Sequence, residues 1–332
     1  MAQRLQQAWL RRGPLAMLLW PLSLVFGALA AAHRGLYQRG WLRSAATGIP
    51  VVVVGNVVAG GAGKTPVVMA LVDHMLALGL KPGVVSRGFG RRSRECLEVT
   101  PESVAHETGD EPLLIARRCG VPVFVASRRA EAARALRTAY PQTNVIVCDD
   151  GLQHHALQRD VEICVFDERG TGNGWLLPAG PLRERWPRAV DLVLRTAATP
   201  RIEGFVLHRR LAGHAVRADG SRLPLGELRD TPCRAVAGIA RPETFFALLR
   251  AQGITLVQAE ARADHEAFSQ ALPGVETTTV LLCTEKDAVK LWQHHPQAWA
   301  VPLALEIEEA FWIAFDRLLQ AKLSSGDGPQ TS

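Results

Sequence analysis

The chain has 332 residues, of which 48% are hydrophobic and 21% are charged, a composition typical of a globular protein with a large buried core. This length predicts one large domain or two of medium size, because single cores stop growing near ~250–300 residues. The formal net charge is +6, but seven positive charges precede the first acidic residue, Asp73, so the remainder of the chain is close to neutral. A neutral body of this kind argues against a nucleic-acid partner, which would require a basic stripe on the folded surface.

The cysteine pattern indicates the redox compartment. No two of the six cysteines have a C-x-x-C spacing: they are Cys96, Cys119, Cys148, Cys164, Cys233 and Cys283. This scatter excludes the paired ligands of a structural zinc site and the framework of a small disulfide-bonded secreted domain. Cys148 and Cys164 lie within apolar runs, where cysteine usually acts as a small buried hydrophobic residue. We therefore expect reduced cysteines in the cytosol.

The N-terminal segment is apolar enough to associate with a membrane. Gly13–Ala32 contains twenty residues without a charge, the length that crosses a hydrocarbon layer of ~30 Å as a helix. Arginines flank both ends of the segment, and aromatic residues suited to the membrane interface lie in and around it: Trp9, Trp20, Tyr37 and Trp41. The unopposed positive charge favours contact with anionic lipid headgroups.

Three interpretations of this segment compete. Ala28-Leu29-Ala30 resembles a signal-peptide cleavage site, but the nucleotide motif downstream requires a cytosolic body. A spanning anchor and an interfacial helix both fit the length, and the flanking arginines leave the orientation open. Pro14 and Pro21 favour a kinked or shallow helix. We expect a membrane-associated helix and linker over residues 1–45.

From Pro50 onward, short apolar runs alternate with helical patterns, which is typical of a doubly wound, mainly parallel sheet in an α/β fold. The β-branched run Val51–Val54 ends at a glycine-rich turn, and a helix is predicted over Pro66–Leu78. Further strands are predicted at Gly83–Ser86, Val121–Ala126, Val145–Cys148, Val161–Phe166 and Leu192–Leu194, with helices at Asp110–Arg118 and Arg128–Ala139. This core is expected to occupy residues 46–205.

A second, smaller α/β unit is predicted over residues 206–323. Its strands are expected at Ala235–Ile239, Ile254–Ala259, Thr279–Cys283 and Val301–Ile307, and its helices at Pro242–Ala251 and Glu285–Trp292. The small and polar residues 324–332 predict a disordered tail. Between the strands of the first unit, the segment from Phe166 to Ala189 is rich in Gly, Pro, Trp and Arg, and a loop of this length is usually functional.

A phosphate-binding loop is predicted between the first strand and the helix that follows it. In the segment VVVVGNVVAGGAGKT, three glycines allow backbone N–H groups to close around phosphate oxygens, and the helix N-terminus adds its positive dipole. Lys64 can reach the β- and γ-phosphates, and the Thr65 hydroxyl can ligate Mg²⁺. The general pattern has a glycine where this chain has Val58, but strand, turn and helix stand in the correct order. The residues predicted to bind nucleotide are Val58, Ala59, Gly60, Gly61, Ala62, Gly63, Lys64 and Thr65.

Two adjacent carboxylates complete this predicted site. Asp149 and Asp150 follow the apolar run Val145–Cys148, at the position where P-loop proteins hold Mg²⁺ through a carboxylate. The carboxyl ends of parallel strands border the crevice in which such sheets bind ligands. The alternative, an acidic turn without a function, is less favoured beside a phosphate-binding loop. The sequence leaves open which of the two carboxylates ligates the metal directly.

The type of P-loop protein is narrowed by the segment Thr279–Asp287. A GTPase would have Asn-Lys-x-Asp after a late strand, whereas this chain has Thr-Glu-Lys-Asp, so guanine recognition is rejected. On these residues alone, three functions stay open. They are a small-molecule kinase, a membrane-associated P-loop ATPase that couples hydrolysis to a protein partner, and a nucleotide-binding membrane scaffold.

Seven segments in chain order carry a more specific resemblance: GNVVAGGAGKTP, SRGFGR, TGDEP, CDDGLQHHAL, GNGWLLPAGPLRE, ADHEAF and TEKDAVK. Together with the N-terminal apolar segment, they resemble the tetraacyldisaccharide 4′-kinase family, the lipid A kinases of Gram-negative inner membranes. The phosphate-binding loop of that family also lacks the first glycine, and the combination of DDGxQH with PAGPLRE is highly specific. Phe89 stands where the family is expected to have tyrosine, which removes any contact made by a hydroxyl group there.

The resemblance implies a reaction and a location. The reaction is ATP- and Mg²⁺-dependent transfer of the γ-phosphoryl group to the 4′-hydroxyl of a tetraacylated glucosamine disaccharide 1-phosphate, which forms lipid IV-A. The implied location is the cytoplasmic face of the inner membrane. The implied partners are the glycolipid substrate and the lipid surface, with no nucleic acid and no obligatory protein partner.

The resemblance also implies roles for individual residues. Asp110 and His265 would form a dyad that activates the hydroxyl, since a carboxylate can orient an imidazole that takes the proton, and Lys64 completes the predicted catalytic set. Glu184 would be a further Mg²⁺ ligand, and Arg183 would neutralise phosphate charge. Residues with weaker support as substrate contacts are Arg87, Gln153, His154, Arg183 and Lys286. Without the family, Asp110 would be interpreted as a helix cap and His265 as a structural histidine.

Overall fold

Two β-sheets with packed helices form the fold, in a computed structural model that describes residues 9–199, 201–264, 268 and 279–326. Within these ranges, the larger sheet has nine strands and the smaller sheet has six. Strands of both sheets alternate with helices along much of the chain, and most strand pairs are parallel. The predicted α/β class, with a mainly parallel sheet and a second, smaller α/β unit, is confirmed.

The strands are named in chain order. They are β1 (Val51–Gly55), β2 (Pro82–Ser86), β3 (Leu97–Val99), β4 (Val123–Val125), β5 (Val145–Asp149), β6 (Val161–Phe166), β7 (Leu192–Thr196), β8 (Phe205–Leu211), β9 (His214–Val216), β10 (Arg222–Pro224), β11 (Cys233–Ala237), β12 (Leu256–Ala261), β13 (Val280–Thr284), β14 (Trp299–Val301) and β15 (Leu303–Ile307). The large sheet has the order β15-β8-β7-β6-β1-β5-β2-β4-β3, and the small sheet has the order β10-β9-β14-β13-β11-β12.

The helices are also named in chain order. They are α1 (Pro14–Gln38), α2 (Lys64–Ala77), α3 (Ala105–Thr108), α4 (Asp110–Cys119), α5 (Arg129–Ala139), α6 (Pro242–Ala251), α7 (Glu285–Leu291) and α8 (Glu309–Gly326), with a 3₁₀ turn at Leu225–Leu228. In the large sheet, only the edge strands β3 and β15 are antiparallel to their neighbours. The predicted helix and strand positions of the first unit are confirmed, with ends that differ by a few residues.

β1 is the central strand of the large sheet, and helices cover both of its faces. Val52 and Val54 belong to the core formed with α2, α4 and α8, whereas Val51 and Val53 belong to the core formed with α5. Alternate side chains of a strand point to opposite faces, so a run of valines suits a strand that is buried on both sides. Each fully buried valine stabilises the fold by roughly 1.5 kcal/mol or more. β1 and β5 pair in parallel, so their carboxyl ends lie side by side at the same end of the sheet.

The C-terminal helix α8 was not predicted from the sequence. Its aromatic side chains Phe311 and Phe315 are fully buried in the core of the large sheet, together with Leu319. The helix continues to Gly326, whereas the sequence predicted a disordered tail from residue 324. Apolar contacts of the preceding helical turns hold this end of the chain on the sheet. The composition of the last residues alone gives no sign of these contacts. Residues 327–332 lie outside the described part of the chain.

The chain crosses from the large sheet to the small sheet and returns. It leaves after Leu211 and comes back at Leu303, so β15 and α8 belong to the large sheet. The prediction of one strand over Val301–Ile307 is wrong, because Pro302 has no N–H to continue a ladder and separates β14 from β15. The N–H of Ala212 donates to the carbonyl oxygen of Pro302 at 2.8 Å, which places the two connecting segments side by side. The predicted boundaries near residues 45, 205 and 323 stay a prediction.

The N-terminal helix α1 extends beyond the predicted segment and continues through Pro21. It has 25 residues, a mean hydropathy of 2.1 over its most apolar window, and only 11% of that window buried, so its length and composition suit a membrane span. Most of its large apolar side chains are exposed, including Leu18, Val25 and Leu29. Ser23, in contrast, is buried against the rest of the protein.

Candidate active site

The phosphate-binding loop connects β1 to α2 and is shaped by glycines at two positions. Gly60 and Gly63 have φ angles of 94° and 71°, in the left-handed region that favours glycine. A Cβ atom on Gly63 would lie 2.4 Å from Nη2 of Arg209, so the guanidinium would have to move to admit a side chain. Because α2 begins at Lys64, its N-terminal N–H groups and the positive end of its dipole lie at the loop.

Lys64 links the loop to the acidic end of β5. Its Nζ lies 3.3 Å from Oδ1 of Asp150 and 3.5 Å from Oδ1 of Asn56. Asn56 in turn donates to the carbonyl oxygen of Gly60 at 3.5 Å. The ammonium is therefore held at the mouth of the loop, where a bound triphosphate would compete with Asp150 for its charge.

Two arginines from neighbouring segments of the large sheet hold the carbonyl groups of the loop. Arg169, which follows β6, donates through Nη1 to the carbonyl oxygen of Ala59 at 3.2 Å and through Nη2 to that of Gly61 at 2.9 Å. Arg209, on β8, donates through Nη2 to the carbonyl oxygen of Ala62 at 2.7 Å. These contacts fix the backbone of the loop, although neither arginine belongs to its motif.

The Gly172–Glu184 loop packs directly on the phosphate-binding loop. Val58 and Leu182 form an isolated antiparallel bridge, and the N–H of Ala59 donates to the carbonyl oxygen of Pro181 at 2.7 Å. Val58, the exception to the general pattern, thus occupies a position that pairs with another segment of the protein. Its side chain is buried in the core on the α5 face of the sheet.

Asp149 ends β5 and is almost completely buried. Its Oδ2 accepts a hydrogen bond from the hydroxyl of Ser86 at 3.4 Å, and its buried Oδ1 has no partner in the described part of the chain. Burial, with the nearby negative charge of Glu111, raises the pKa of Asp149 to about 7, although Lys64 opposes this shift. An unsatisfied buried carboxylate oxygen is costly unless it has a cationic ligand.

Asp150 has a different environment, although it follows Asp149 directly. Its φ of 50° is unusual for a residue other than glycine and turns its side chain towards the basic groups. Its carboxylate accepts a hydrogen bond from Nη1 of Arg183 at 3.1 Å and lies beside Lys64, and its carbonyl oxygen accepts one from Arg129 at 2.8 Å. Burial opposes ionisation, but the charges of Lys64, Arg183 and Arg129 outweigh it and lower the pKa of Asp150.

The chemistry of these donors fits Mg²⁺. This ion prefers oxygen ligands and is usually held by one or two carboxylates together with substrate phosphates. The unpartnered Oδ1 of Asp149, the carboxylate of Asp150 and the hydroxyl of Thr65 are oxygen donors at the adjoining ends of β5 and α2. No group of three or more His, Cys, Asp or Glu side chains that could hold a metal occurs among the described residues.

Glu184 is already engaged by polar side chains. It accepts hydrogen bonds from Nε2 of Gln153 at 2.7 Å and from Nη1 of Arg188 at 3.3 Å, and Arg34 of α1 lies 3.8 Å away. Gln153 also donates to the carbonyl oxygen of Asn56 at 3.0 Å. Glu184 therefore lies next to the phosphate-binding loop, but its role as a metal ligand stays a prediction.

Asp110 begins α4 and faces the small sheet. Its Oδ2 accepts a hydrogen bond from Nζ of Lys290, on α7, at 2.8 Å. The preceding residue Gly109 has a φ of 95°, and a Cβ there would lie 3.0 Å from the backbone of Gly88, so the loop before α4 packs tightly on the SRGFGR segment. Asp110 and Phe89 line one pocket of about 300 Å³.

His265, the second member of the predicted dyad, lies outside the described residues. Described residues on either side of it, Asp264 and Phe268, lie close to lysines of α7. Asp264 forms an ion pair with Lys286 at 3.1 Å, and the ring of Phe268 lies 5.7 Å from Nζ of Lys290. Lys286 also lies 3.2 Å from Oε1 of Glu111.

His154 lies between the acidic pair and α5. Its Nε2 accepts a hydrogen bond from the N–H of Arg129 at 3.3 Å, which requires a neutral ring at this nitrogen. Burial, followed by the charges of Arg129, Arg159 and Arg87, lowers the pKa of His154 to about 4. His154 is therefore uncharged near neutral pH and suits a contact rather than a proton transfer. Arg87, in contrast, is exposed.

The fold brings most of the predicted residues to one edge of the large sheet. Lys64, Thr65, Asp149 and Asp150 meet there with the Gln153–Glu184 pair, while Asp110 and Lys286 lie at the side that faces the small sheet. Sequence reasoning missed several side chains that hold this arrangement: Asn56, Arg129, Arg169, Arg188, Arg209 and Lys290. Asn56, Arg188 and Lys290 lie within or near quoted motifs, but Arg129 and Arg209 have no local signal.

Comparisons with known proteins identify the family to which the chain belongs. A family profile described as Tetraacyldisaccharide-1-P 4′-kinase matches residues 15–320. A tetraacyldisaccharide 4′-kinase of Acidovorax ebreus is 58% identical over 328 residues, which cover 98% of this chain and 97% of the relative. Proteins with the same name from Polaromonas naphthalenivorans and Delftia acidovorans are 55% and 53% identical, and the matches cover 100% and 96% of each pair of chains.

A solved structure has the same architecture. The crystal structure of LpxK from Aquifex aeolicus in complex with ATP superposes with a TM-score of 0.81 at 27% identity, and the match covers 92% of this chain and 99% of that one. A family profile over nearly the whole length and relatives above half identity leave one conclusion: the chain belongs to the tetraacyldisaccharide 4′-kinase family.

Proposed function

We propose that the chain transfers the γ-phosphoryl group of ATP to the 4′-hydroxyl of a tetraacylated glucosamine disaccharide 1-phosphate and so forms lipid IV-A. The observation that carries the proposal is the meeting of Lys64, Asp149 and Asp150 at the end of a glycine-rich loop, in a chain that belongs to a kinase family. Phosphoryl transfer depends mainly on positioning and on neutralisation of charge, and this cluster supplies both.

Residues 58–65 would hold the triphosphate through backbone N–H groups and the ammonium of Lys64. Arg169 and Arg209 keep the loop in shape through its carbonyl groups, and Arg183 adds positive charge beside Asp150. The site thereby concentrates cationic groups where charge develops on the transferred phosphoryl group.

Thr65, Asp149 and Asp150 would hold Mg²⁺, with Glu184 as a further candidate. When bound, the metal neutralises phosphate charge and orients the terminal phosphoryl group. The raised pKa of Asp149 fits this role, because a group that gains a cation on binding is shifted back towards its ionised form.

Asp110 and His265 would activate the acceptor hydroxyl, with Asp110 orienting and stabilising the imidazole that takes the proton. The position of Asp110 in a pocket between the two sheets supports this role, since the pocket is open enough to admit part of a sugar. Arg87, Gln153, His154 and Lys286 would contact the substrate.

Helix α1 would bring the protein to the cytoplasmic face of the inner membrane, where the acylated substrate resides. Its exposed apolar side chains support this placement, and so do the arginines on both sides of it. No nucleic acid or obligatory protein partner is required by this reaction.

The decisive experiment combines detergent-solubilised protein with labelled ATP, Mg²⁺ and the disaccharide lipid, and measures label on the lipid. We expect transfer by the wild-type chain and a loss of about 10²–10³-fold in Lys64→Ala. Asp110→Ala should lose about 10²–10⁴-fold in turnover and still bind ATP. Lys81→Ala, at an exposed position at the far end of β2, serves as the matched control.

One result would contradict the kinase proposal, and another would contradict only the dyad. Hydrolysis of ATP without label on the lipid would instead indicate an ATPase that serves another partner. Normal turnover by Asp110→Ala would exclude the dyad even if the kinase activity is real.

A further inference from the structure

Lys290 contacts the carboxylate that is proposed to activate the acceptor. Its Nζ lies 2.8 Å from Oδ2 of Asp110, and the two side chains are only 11% and 10% exposed. Asp110 begins α4, beside the large sheet, whereas Lys290 lies on α7, which follows β13 of the small sheet. The ion pair therefore joins the large-sheet side and the small-sheet side of the pocket that Asp110 lines.

We propose that Lys290 is a positioning residue for phosphoryl transfer, which holds the Asp110 carboxylate correctly oriented for the acceptor hydroxyl. This proposal rests on the proposed function, because Asp110 has this task only in the kinase reaction. Lys290 lies outside the nucleotide loop and outside the predicted dyad.

The contact has the geometry of a strong, specific hydrogen bond. Charge-assisted N–H···O bonds have donor–acceptor distances near 2.7–2.9 Å, and the observed distance falls in this range. Such a bond fixes the direction of the carboxylate that would orient the imidazole.

The helix that carries Lys290 is fixed to the small sheet. Thr284 caps α7 by accepting a hydrogen bond from the N–H of Asp287 at 3.2 Å, and the buried carboxylate of Asp287 accepts one from the N–H of Gly238 at 3.0 Å. These contacts fix the backbone of α7. The Lys290 side chain therefore starts from a fixed point and can orient the carboxylate of Asp110.

Lys286 and Lys290 lie four residues apart and therefore share one face of α7. Lys286 pairs with Glu111 at 3.2 Å and with Asp264 at 3.1 Å, while Lys290 pairs with Asp110. The two lysines thus match two consecutive acidic residues in the first turn of α4. This match explains why a short helix of the small sheet has lysines at this spacing.

A purely structural ion pair is the alternative. Breaking such a pair would lower the stability of the protein. Its effect on kcat would be no larger than that of any other substitution with the same loss of stability. A direct substrate contact is a second alternative, since Lys290 also lines the pocket of about 300 Å³. Loss of such a contact would raise the KM for the lipid, whereas loss of a positioning contact would lower kcat.

The test measures kcat, both KM values, the Kd for ATP and thermal unfolding for Lys290→Met, Lys290→Arg and the control Lys81→Met. We expect Lys290→Met to lower kcat by about 10²-fold, with the KM for the lipid within about threefold of wild type. Lys290→Arg should recover most of the loss, because it keeps a donor and a positive charge.

A double variant separates positioning from folding. In the background of Asp110→Asn, Lys290→Met should cause no further loss of kcat, because the lysine acts only through the carboxylate. Additive losses, a change in KM alone, or a normal kcat in folded Lys290→Met would each overturn the proposal while leaving the proposed function intact. A wild-type chain that transfers no phosphate to the lipid would overturn both.

Discussion

Val58 in the phosphate-binding loop and Leu182 in the Gly172–Glu184 loop pair backbone to backbone. The second loop also contacts α1, because the hydroxyl of Ser23 donates to the carbonyl oxygen of Leu176 at 2.8 Å and accepts from the N–H of Ala179 at 2.9 Å. One loop thus connects the N-terminal helix to the nucleotide site. The proposed membrane helix is part of the active-site architecture rather than a separate anchor.

Ser23→Ala tests this connection. The change removes both hydrogen bonds and leaves the buried N–H of Ala179 without its partner, at a cost of about 1–3 kcal/mol. We expect faster proteolytic release of α1 and a lower kcat/KM for the lipid, with little change in ATP affinity. Leu18→Ala, at an exposed position on the same helix, is the control for protease susceptibility. Equal protection of α1 in Ser23→Ala and wild type would count against the connection.

Gly63→Ala should disable nucleotide binding for two reasons. The left-handed φ of Gly63 disfavours alanine by about 1–2 kcal/mol, and the new Cβ would clash with the guanidinium of Arg209, which holds the loop. Gly79 is a matched control, since its φ is also left-handed at 77° but no atom lies within 4 Å of its Cβ position. Gly79→Ala should therefore lose stability and keep ATP affinity, as measured by calorimetry. Similar ATP affinities in both variants would contradict this interpretation.

Arg169→Lys should weaken ATP binding although it keeps the charge. The lysine cannot reproduce the two parallel donations of the guanidinium to Ala59 and Gly61, so the loop loses part of its fixed shape. We expect the KM for ATP to rise by about tenfold, which corresponds to the loss of one or two hydrogen bonds. Arg210→Lys, in an exposed ion pair with Glu306, should leave this KM unchanged. A KM shift of the same size in both variants would indicate a general electrostatic effect.

Asp149 gives the stability of the ligand-free protein a specific dependence on pH. Its pKa is about 7 in the folded state and near the ordinary 3.8 in the unfolded state, so the folded state holds a proton that the unfolded state releases. The free energy of unfolding should therefore fall, by on the order of a few kcal/mol, as the pH rises from about 4 to about 7. Urea unfolding in a chelating buffer measures this slope, and Asp149→Asn should remove it. A slope of equal size in the variant would assign it to other groups.

Much of the fold was accessible from the sequence because its signals are local. The valine run of β1, the glycine-rich turn and Lys64 stand together in the chain, and their spacing alone defines a strand, a loop and a helix start. α8 was missed because Phe311 and Phe315 are placed by packing on a sheet whose strands lie far away in sequence. The pair of Arg209 with the loop was missed for the same reason, since nothing near Arg209 distinguishes it from a surface arginine.

For the candidate site, the sequence predicted which residues take part but not their environments or their partners. Asp149 and Asp150 are adjacent and look equivalent in the sequence, yet burial raises the pKa of Asp149, whereas the pKa of Asp150 is lowered, despite burial, by the charges of Lys64 and Arg183. Asp110 meets Lys290 across 180 positions, a contact that only the arrangement of the two sheets creates. Motifs predicted the residues of the candidate site, and the tertiary structure gives their surroundings and their partners.

The return of the chain at Pro302 has a mechanical consequence. Both segments that connect the sheets pass through one place, where the N–H of Ala212 donates to the carbonyl oxygen of Pro302. The smaller half is therefore joined to the larger by two adjacent connections. The ion pairs Asp110–Lys290 and Glu111–Lys286 join the two halves at a second place, away from this crossing.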